Sequence, residues 1–181
     1  LITREVALPV VKHLDAEGTP FIGLLYAGLI VTDGGVRVIE FNARFGDPET
    51  QVVLPRLVSP LSELLMAAAS GTLEDVARPA FAEAVAITVV VASEGYPAAP
   101  VTGRPVGGLD AAASVPGVHL AHAATANDGG GLVATGGRVV DVVALGTTFA
   151  EARKRAYEAV DLIALEGSQH RTDIAAGVIE R

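Results

Sequence analysis

The chain has 181 residues, of which 50% are hydrophobic and 19% are charged, so it can bury a core and is not an intrinsically disordered polypeptide. It contains no cysteine, which excludes disulfides and thiolate metal sites, and its formal net charge of −8 argues against nucleic-acid binding through a basic face. No apolar run reaches the length of about 18 residues that a membrane-spanning helix needs. We therefore expect a cytoplasmic protein that binds neither nucleic acid nor membrane.

Turn residues and hydrophobic periodicity organise the first half of the chain. Thr32-Asp33-Gly34-Gly35 supplies the positive φ values of a tight reversal and predicts a β-hairpin. Gly18 is expected to end the first helix, which tolerates Pro9. The predicted elements are a helix at 1–17, an apolar run at 21–31, a strand at 36–42, a loop at 43–48 and short helices at 49–57 and 60–69.

The second half begins after a polar stretch at 74–82, and we place a domain boundary between residues 80 and 81. Gly136-Gly137 is expected to form a hairpin between the last two strands, and Asp173 to cap a short final helix. The predicted elements are strands at 84–92, 118–123, 132–134 and 138–145, a loop-rich stretch at 93–117, and a helix that Thr147 or Thr148 caps and that runs to about 165.

The end of the 36–42 strand carries the side chains with the clearest chemistry. Residues two apart on a strand share a face, so Glu40 and Asn42 should point one way while Ile39 and Phe41 pack into the core. A carboxylate and an amide oxygen so placed can share a hard cation such as Mg²⁺, and Arg44 can bind a carboxylate or phosphoryl group. For Glu-x-Asn alone, a strand end that leads into a polar surface loop is the favoured explanation.

Five strings carry a resemblance that covers essentially the whole chain: 23–29, 38–51, 92–97, 135–139 and 171–174. With them the chain resembles the phosphoribosylamine–glycine ligases, a family of ATP-grasp enzymes in purine synthesis also called glycinamide ribonucleotide synthetases. The resemblance implies an α+β fold. The C-terminal half of an ATP-grasp domain, an antiparallel sheet with helices, would occupy residues 1–80, and a small β-rich C-terminal domain with flanking helices would occupy 81–181.

The resemblance also implies a reaction, in which ATP phosphorylates glycine and phosphoribosylamine attacks the glycyl phosphate. ADP, phosphate and glycinamide ribonucleotide are released. By this resemblance Glu40 and Asn42 are the Mg²⁺ or Mn²⁺ ligands, and Arg44 is the catalytic residue that steadies the acyl phosphate. Asp47 is expected to bind the glycine ammonium group, and Arg171 to bind the ribose phosphate.

The sequence departs from the family pattern at two loops, where glycines are replaced by Ala124 and Ala175. Since alanine enters the positive-φ region less easily than glycine, we expect a less tightly turned backbone there. Arg138, after the Gly136-Gly137 pair, is interpreted as structural or solvent-exposed.

Two alternatives stay open: another ATP-grasp carboxylate–amine ligase, such as a purine-pathway carboxylase or formyl transferase, and a non-catalytic fragment that keeps only the scaffold. The family's substrate domain and lid have no counterpart before Leu1, and the chain's two lysines, Lys12 and Lys154, lie outside any glycine-rich loop. We therefore expect the 181-residue chain alone to be inactive. Its oligomeric state is not predicted.

Overall fold

The computed structural model describes residues 1–179, and these form two compact units. The first unit comprises Leu1–Thr50 and Leu57–Phe81, and the second comprises Gln51–Arg56 and the residues from Ala82 onward. The predicted α+β class with antiparallel sheets is confirmed. The domain boundary between residues 80 and 81 stays a prediction.

The first unit opens with helix α1 (Leu8–Ala16), which a π-helical turn at Thr3–Ala7 precedes. Pro9 lies inside this continuous helical stretch, where it has no N–H to donate, and the π-helical turn ends two residues before it. The chain then leaves the helix at Gly18, whose φ of +77° is the left-handed conformation that glycine adopts freely. The predicted first helix is therefore confirmed, in two segments.

Strands β1 (Tyr26–Thr32) and β2 (Gly35–Asn42) form the predicted antiparallel hairpin. The pairing shifts by one residue between Gly28 and Leu29, since Leu29 pairs with Val38 whereas Gly28 pairs with Glu40. Ile39 is thus the extra residue of a β-bulge. The helical elements after the hairpin are α2 (Thr50–Val53), a 3₁₀ turn at Leu54–Arg56, α3 (Leu61–Ser70) and a 3₁₀ turn at Leu73–Asp75.

The expectation that Ile39 and Phe41 pack into the core is wrong. Ile39 is 68% exposed and Phe41 is 39% exposed. The bulge places Ile39 outside the regular alternation, and a two-stranded sheet has no further strands to support a core on its own. Within the described residues of the first unit, Ala67 is the one buried apolar side chain.

A three-stranded antiparallel sheet forms the centre of the second unit, with the strand order β3-β7-β4. Its core consists mainly of valines from these strands and of alanines from helix α5, which packs on the sheet. The elements are β3 (Val85–Ala92), α4 (Leu109–Ala113), β4 (Val118–His122), β5 (Thr125–Asn127), β6 (Leu132–Ala134), β7 (Arg138–Gly146), α5 (Phe149–Val160) and α6 (Ala176–Ile179).

The hairpin predicted at Gly136-Gly137 is wrong, because β6 pairs with β5 and β7 pairs with β3 and β4. Ser93 explains the difference. Its N–H donates to the Gly137 carbonyl at 2.8 Å, and its hydroxyl donates to the Gly136 carbonyl at 2.8 Å. These bonds hold the glycine pair against the 93–97 turn, so the chain passes from one sheet to the other.

Two helix boundaries also differ from prediction. Helix α5 is capped by Thr148 as expected, since its hydroxyl accepts a 3.2 Å hydrogen bond from the Glu151 N–H, but the helix ends at Val160. After the helix, Ala164 forms a β-bridge with Gly107, and this extended backbone cannot continue the helix. Asp173 does not cap the final helix, which begins at Ala176.

Within residues 1–179, no helix combines the length and the apolar character needed to cross a bilayer.

Candidate active site

Glu40 and Asn42 lie at the end of β2, where the strand enters the loop before α2. Nδ2 of Asn42 donates a 2.8 Å hydrogen bond to Oε1 of Glu40. Gly28 stands opposite Glu40 on β1, and a Cβ atom at that position would lie 3.1 Å from Cγ of Glu40. The glycine therefore leaves room for the Glu40 side chain to lie across the neighbouring strand.

The oxygens of this pair fit a hard divalent cation. Glu40 has a second carboxylate oxygen besides Oε1, and the amide oxygen of Asn42 is a further possible ligand. Magnesium is commonly held by one or two protein carboxylates and keeps waters and phosphate oxygens in its shell. Among residues 1–179, no group of three His, Cys, Asp or Glu side chains could hold a metal ion. The pair thus fits a cation whose shell is completed largely by water and substrate.

Arg44 is exposed two residues beyond Asn42. Its Nη1 donates a 2.7 Å hydrogen bond to the carbonyl of its neighbour Phe45. That bond uses one of the five N–H donors of the guanidinium group. The geometry therefore fixes one edge of Arg44 against the loop backbone and is compatible with anion binding at another edge.

Tyr26 and Glu49 complete the group of polar side chains at this strand end. The Tyr26 hydroxyl is hydrogen-bonded to the Glu49 carboxylate, and this bond raises the pKa of Tyr26. Burial and the negative charges of Glu49 and Glu40 raise it further, whereas the positive charge of Arg44 lowers it. The hydroxyl of Tyr26 therefore keeps its proton to a higher pH than a free tyrosine does.

Gly46 makes this contact possible. A Cβ atom at position 46 would lie 2.6 Å from Oε2 of Glu49 and 3.2 Å from Cε2 of Tyr26, so a larger residue would push the two apart. Asp47 follows in the same loop and is half-buried. Glu49 was expected to begin the next helix, but α2 begins at Thr50 and the Glu49 carboxylate is engaged by Tyr26.

Arg171 belongs to the second unit. Its Nε and Nη2 donate to the two carboxylate oxygens of Asp173 at 2.8 and 2.6 Å, the bidentate geometry typical of strong arginine–carboxylate pairs. The hydrogen bonds from Arg171 lower the pKa of Asp173, and both side chains are exposed. The carboxylate of Asp173 therefore fixes the orientation of the guanidinium plane of Arg171.

Comparison with known protein families decides what these two units are. Residues 86–177 match the family described as phosphoribosylglycinamide synthetase, C domain, and residues 1–50 match phosphoribosylglycinamide synthetase, ATP-grasp (A) domain. The chain belongs to the phosphoribosylglycinamide synthetase family. The expected resemblance is thereby confirmed.

Curated relatives of the phosphoribosylglycinamide synthetase family agree with this assignment. The chain is 68% identical over 173 residues to a phosphoribosylamine–glycine ligase of Leifsonia xyli subsp. xyli, which covers 94% of this chain and 42% of the relative. It is 56% identical over 177 residues to the ligase of the same name from Streptomyces coelicolor. That match covers 97% of this chain and 42% of the relative. The chain therefore spans about two fifths of the length of the relatives it matches.

Solved structures give the same result for the fold. A crystal structure of phosphoribosylamine–glycine ligase from Thermotoga maritima superposes with a TM-score of 0.73 at 32% identity, over 90% of this chain and 39% of that one. N5-carboxyaminoimidazole ribonucleotide synthetase from the same organism superposes with a TM-score of 0.57 at 17% identity. That match covers 91% of this chain and 41% of the other. The second likeness concerns the fold alone.

Sequence reasoning missed the role of Tyr26 in the group around Glu40. Counting back from the Thr32–Gly35 turn would pair Tyr26 with Phe41, but the bulge at Ile39 shifts the register and pairs Tyr26 with Asn42. Tyr26 does belong to the 23–29 string that carries the resemblance, but the sequence does not indicate which side chain it contacts.

Proposed function

We propose that this chain is part of an ATP-dependent ligase that joins glycine to 5-phosphoribosylamine through glycyl phosphate, with ADP, phosphate and glycinamide ribonucleotide as products. The observation that carries the proposal is the hydrogen-bonded Glu40–Asn42 pair at the end of β2, within the residues that match the ATP-grasp (A) domain. A cytoplasmic location stays a prediction from the composition of the sequence.

Each site residue has a role that its chemistry supports. Glu40 and Asn42 would hold Mg²⁺ or Mn²⁺, which when bound neutralises charge on phosphoryl oxygens. Arg44 would donate to the phosphoryl oxygens of glycyl phosphate, and Asp47 would accept the ammonium group of glycine. Arg171 would bind the phosphate of phosphoribosylamine. Catalysis by such groups is mainly a matter of positioning and electrostatic stabilisation.

Metal titration of the 181-residue chain tests whether the pair binds a cation. We expect Mn²⁺ binding, measured by electron paramagnetic resonance, to weaken in Glu40→Gln and in Asn42→Ala. Asp33→Asn is the matched control, because it removes a carboxylate at the opposite end of the same hairpin and asparagine suits that turn equally well. Equal affinity in all four proteins would support the alternative of an inert scaffold.

A hybrid enzyme tests the reaction. The 181 residues would replace the corresponding segment of the Leifsonia xyli relative, and ADP release would be followed with glycine and phosphoribosylamine present or omitted. We expect release that requires both substrates and that Glu40→Gln abolishes. Release that depends on a different carboxylate or amine would support another ATP-grasp ligase. The 181-residue chain alone should not turn over, since it spans only about two fifths of the length of the ligases that it matches.

A further inference from the structure

Ala175 lies in a backbone conformation that alanine rarely adopts. Its φ is +60°, and among the non-glycine residues that the structure describes it is the one with positive φ. This region is unfavourable for alanine because Cβ crowds the following carbonyl oxygen, whereas glycine has no Cβ. The family pattern has glycine at this position, so other groups of this chain must hold the turn in place.

The backbone of Ile174, directly before Ala175, is held by two side chains of helix α5. The Ile174 N–H donates a 3.1 Å hydrogen bond to the Tyr157 hydroxyl. Nε of Arg153 donates a 3.0 Å hydrogen bond to the Ile174 carbonyl. Because that carbonyl belongs to the peptide bond before Ala175, Arg153 restrains the peptide plane on which the left-handed conformation depends.

The same two side chains also reach the backbone around Arg171. The Tyr157 hydroxyl donates a 2.7 Å hydrogen bond to the Arg171 carbonyl, and Nη2 of Arg153 donates one of 2.7 Å to the Thr172 carbonyl. The backbone that carries the Arg171 side chain and the backbone that leads into the strained turn are therefore fixed by one pair of residues.

Arg153 and Tyr157 are well placed to act as a unit, which we call the α5 clamp. They lie four residues apart on α5 and thus on one face of the helix. The guanidinium carbon of Arg153 lies 4.6 Å from the centre of the Tyr157 ring, in a cation–π contact. The helix itself is packed on the sheet through its buried alanines. A loop held from such a packed helix is placed more precisely than a loop held by another loop.

We propose that the α5 clamp keeps Ala175 in its left-handed turn and thereby positions Arg171, so that Arg153 and Tyr157 are positioning residues for the substrate group that Arg171 binds. The effect on the turn rests on the contacts of the clamp alone. The effect on substrate rests on the proposed function. With glycine at position 175 the turn would carry no strain, so loss of the clamp should then matter much less.

Amide hydrogen exchange of the 181-residue chain, followed by NMR, tests the effect on the turn. The reporter is the Ala176 N–H, which donates a 3.1 Å hydrogen bond to the Asp173 carbonyl. Tyr157→Phe keeps the ring and loses the hydroxyl, and Arg153→Lys keeps the charge and loses the fork of donors. We expect each variant to speed up exchange at Ala176 by about tenfold, as loss of a hydrogen bond allows.

A second substitution distinguishes the clamp from an ordinary stabilising contact. Ala175→Gly, added to Tyr157→Phe or to Arg153→Lys, should restore most of the slow exchange at Ala176, because glycine enters the left-handed region freely. Ala124→Gly is the matched control in the same backgrounds. Ala124 also replaces a glycine of the family pattern, but it is not among the described residues with positive φ, so it should restore nothing.

Two further controls separate a local effect from general unfolding. Lys154→Gln removes a positive charge from an exposed position of α5 beside Arg153 and should leave exchange at Ala176 unchanged. Amides of β7 report on the fold of the whole unit, and if Tyr157→Phe exposes them, Arg153→Lys decides. The proposal is overturned if exchange at Ala176 is unchanged in both clamp variants, or if Ala175→Gly restores no more than Ala124→Gly does.

The hybrid enzyme tests the effect on substrate. Tyr157→Phe should raise the KM for phosphoribosylamine while the KM for glycine and kcat stay unchanged, and Ala175→Gly should reverse the rise. Equal rises in both KM values would overturn the positioning role. Arg171→Gln is measured beside it: if the KM for phosphoribosylamine is unchanged there, the role of Arg171 under the proposed function fails, whereas exchange at Ala176 still decides whether the clamp holds the turn.

Discussion

Nε2 of Gln51 donates a 2.8 Å hydrogen bond to Oδ2 of Asp141, whose residue is 1% exposed in the middle of β7. Both residues belong to the second unit, although the chain neighbour of Gln51, Thr50, belongs to the first. The division between the units thus falls within α2, at the peptide bond between these two residues. A buried carboxylate needs hydrogen-bond donors, and Gln51 supplies one of them.

Replacement of Gln51 by leucine should lower the free energy of unfolding of the second unit by about 2 kcal/mol, because a buried carboxylate loses a donor. Urea unfolding followed by circular dichroism measures the change. The double variant Gln51→Leu/Asp141→Asn should lose less than the sum of the two single variants. Strict additivity would mean that the bond contributes nothing of its own.

Gly28→Ala should weaken Mn²⁺ binding by about tenfold, in the range found when support of a metal ligand is lost. The new methyl group would lie 3.1 Å from Cγ of Glu40 and would force that side chain to move. Electron paramagnetic resonance measures the affinity. Gly34→Ala is the comparison variant, because its added methyl lies near Arg37 and Thr32, away from the metal pair. An unchanged affinity in Gly28→Ala would show that Glu40 does not bind the ion in the conformation described.

The raised pKa of Tyr26 predicts a pH dependence of known sign. Its neutral form is favoured in the folded chain, so the resulting stability is fully present below pH 10.0 and is lost as the pH rises through the higher folded pKa. Glu49→Gln should bring the pKa of Tyr26 down, as followed by the NMR shift of its Cζ. Glu63→Gln should leave the pKa of Tyr26 unchanged, since Glu63 is not among the groups that shift it. An equal change in both variants would contradict the Tyr26–Glu49 bond.

Ala175 occupies the left-handed region with φ of +60°, so the expectation of a less tightly turned backbone at this position is wrong. A left-handed alanine costs roughly 1–2 kcal/mol, and Ala175→Gly should therefore raise the free energy of unfolding by about 1 kcal/mol. Ala124 is not among the described residues with positive φ, so Ala124→Gly should lower stability through greater freedom of the unfolded chain. Thermal unfolding distinguishes the two signs. Stabilisation by both substitutions, or by neither, would refute this reading of Ala175.

Local chemistry was sufficient to predict several elements. The Thr32–Gly35 turn predicts its hairpin because few residues adopt the required φ, and the valine runs of β3 and β7 predict strands that are indeed buried. The choice of strand partners was not predictable locally. The Gly136-Gly137 pair between β6 and β7 accepts hydrogen bonds from Ser93, which is 43 residues away from Gly136 in the sequence.

The candidate site shows the same limit. The spacing of Glu40 and Asn42 on one strand is a local property, and the structure confirms that their side chains meet. The contact of Tyr26 with Glu49 depends on a bulge, and a bulge leaves no clear mark in the sequence. The chemical roles of Glu40, Asn42, Arg44, Asp47 and Arg171 stay predictions, since roles require a bound substrate.

The unequal burial of the two units has a consequence for local opening. Amide hydrogens of β7 are protected by a core of valines and alanines, whereas those of β2 lie in a two-stranded hairpin with little buried apolar surface. Amides in β2 should therefore exchange with deuterium sooner than those in β7. A cation that joins Glu40 to Asn42 would bind the closed hairpin and slow exchange in β2 while leaving β7 unchanged, which makes exchange a local report of metal binding.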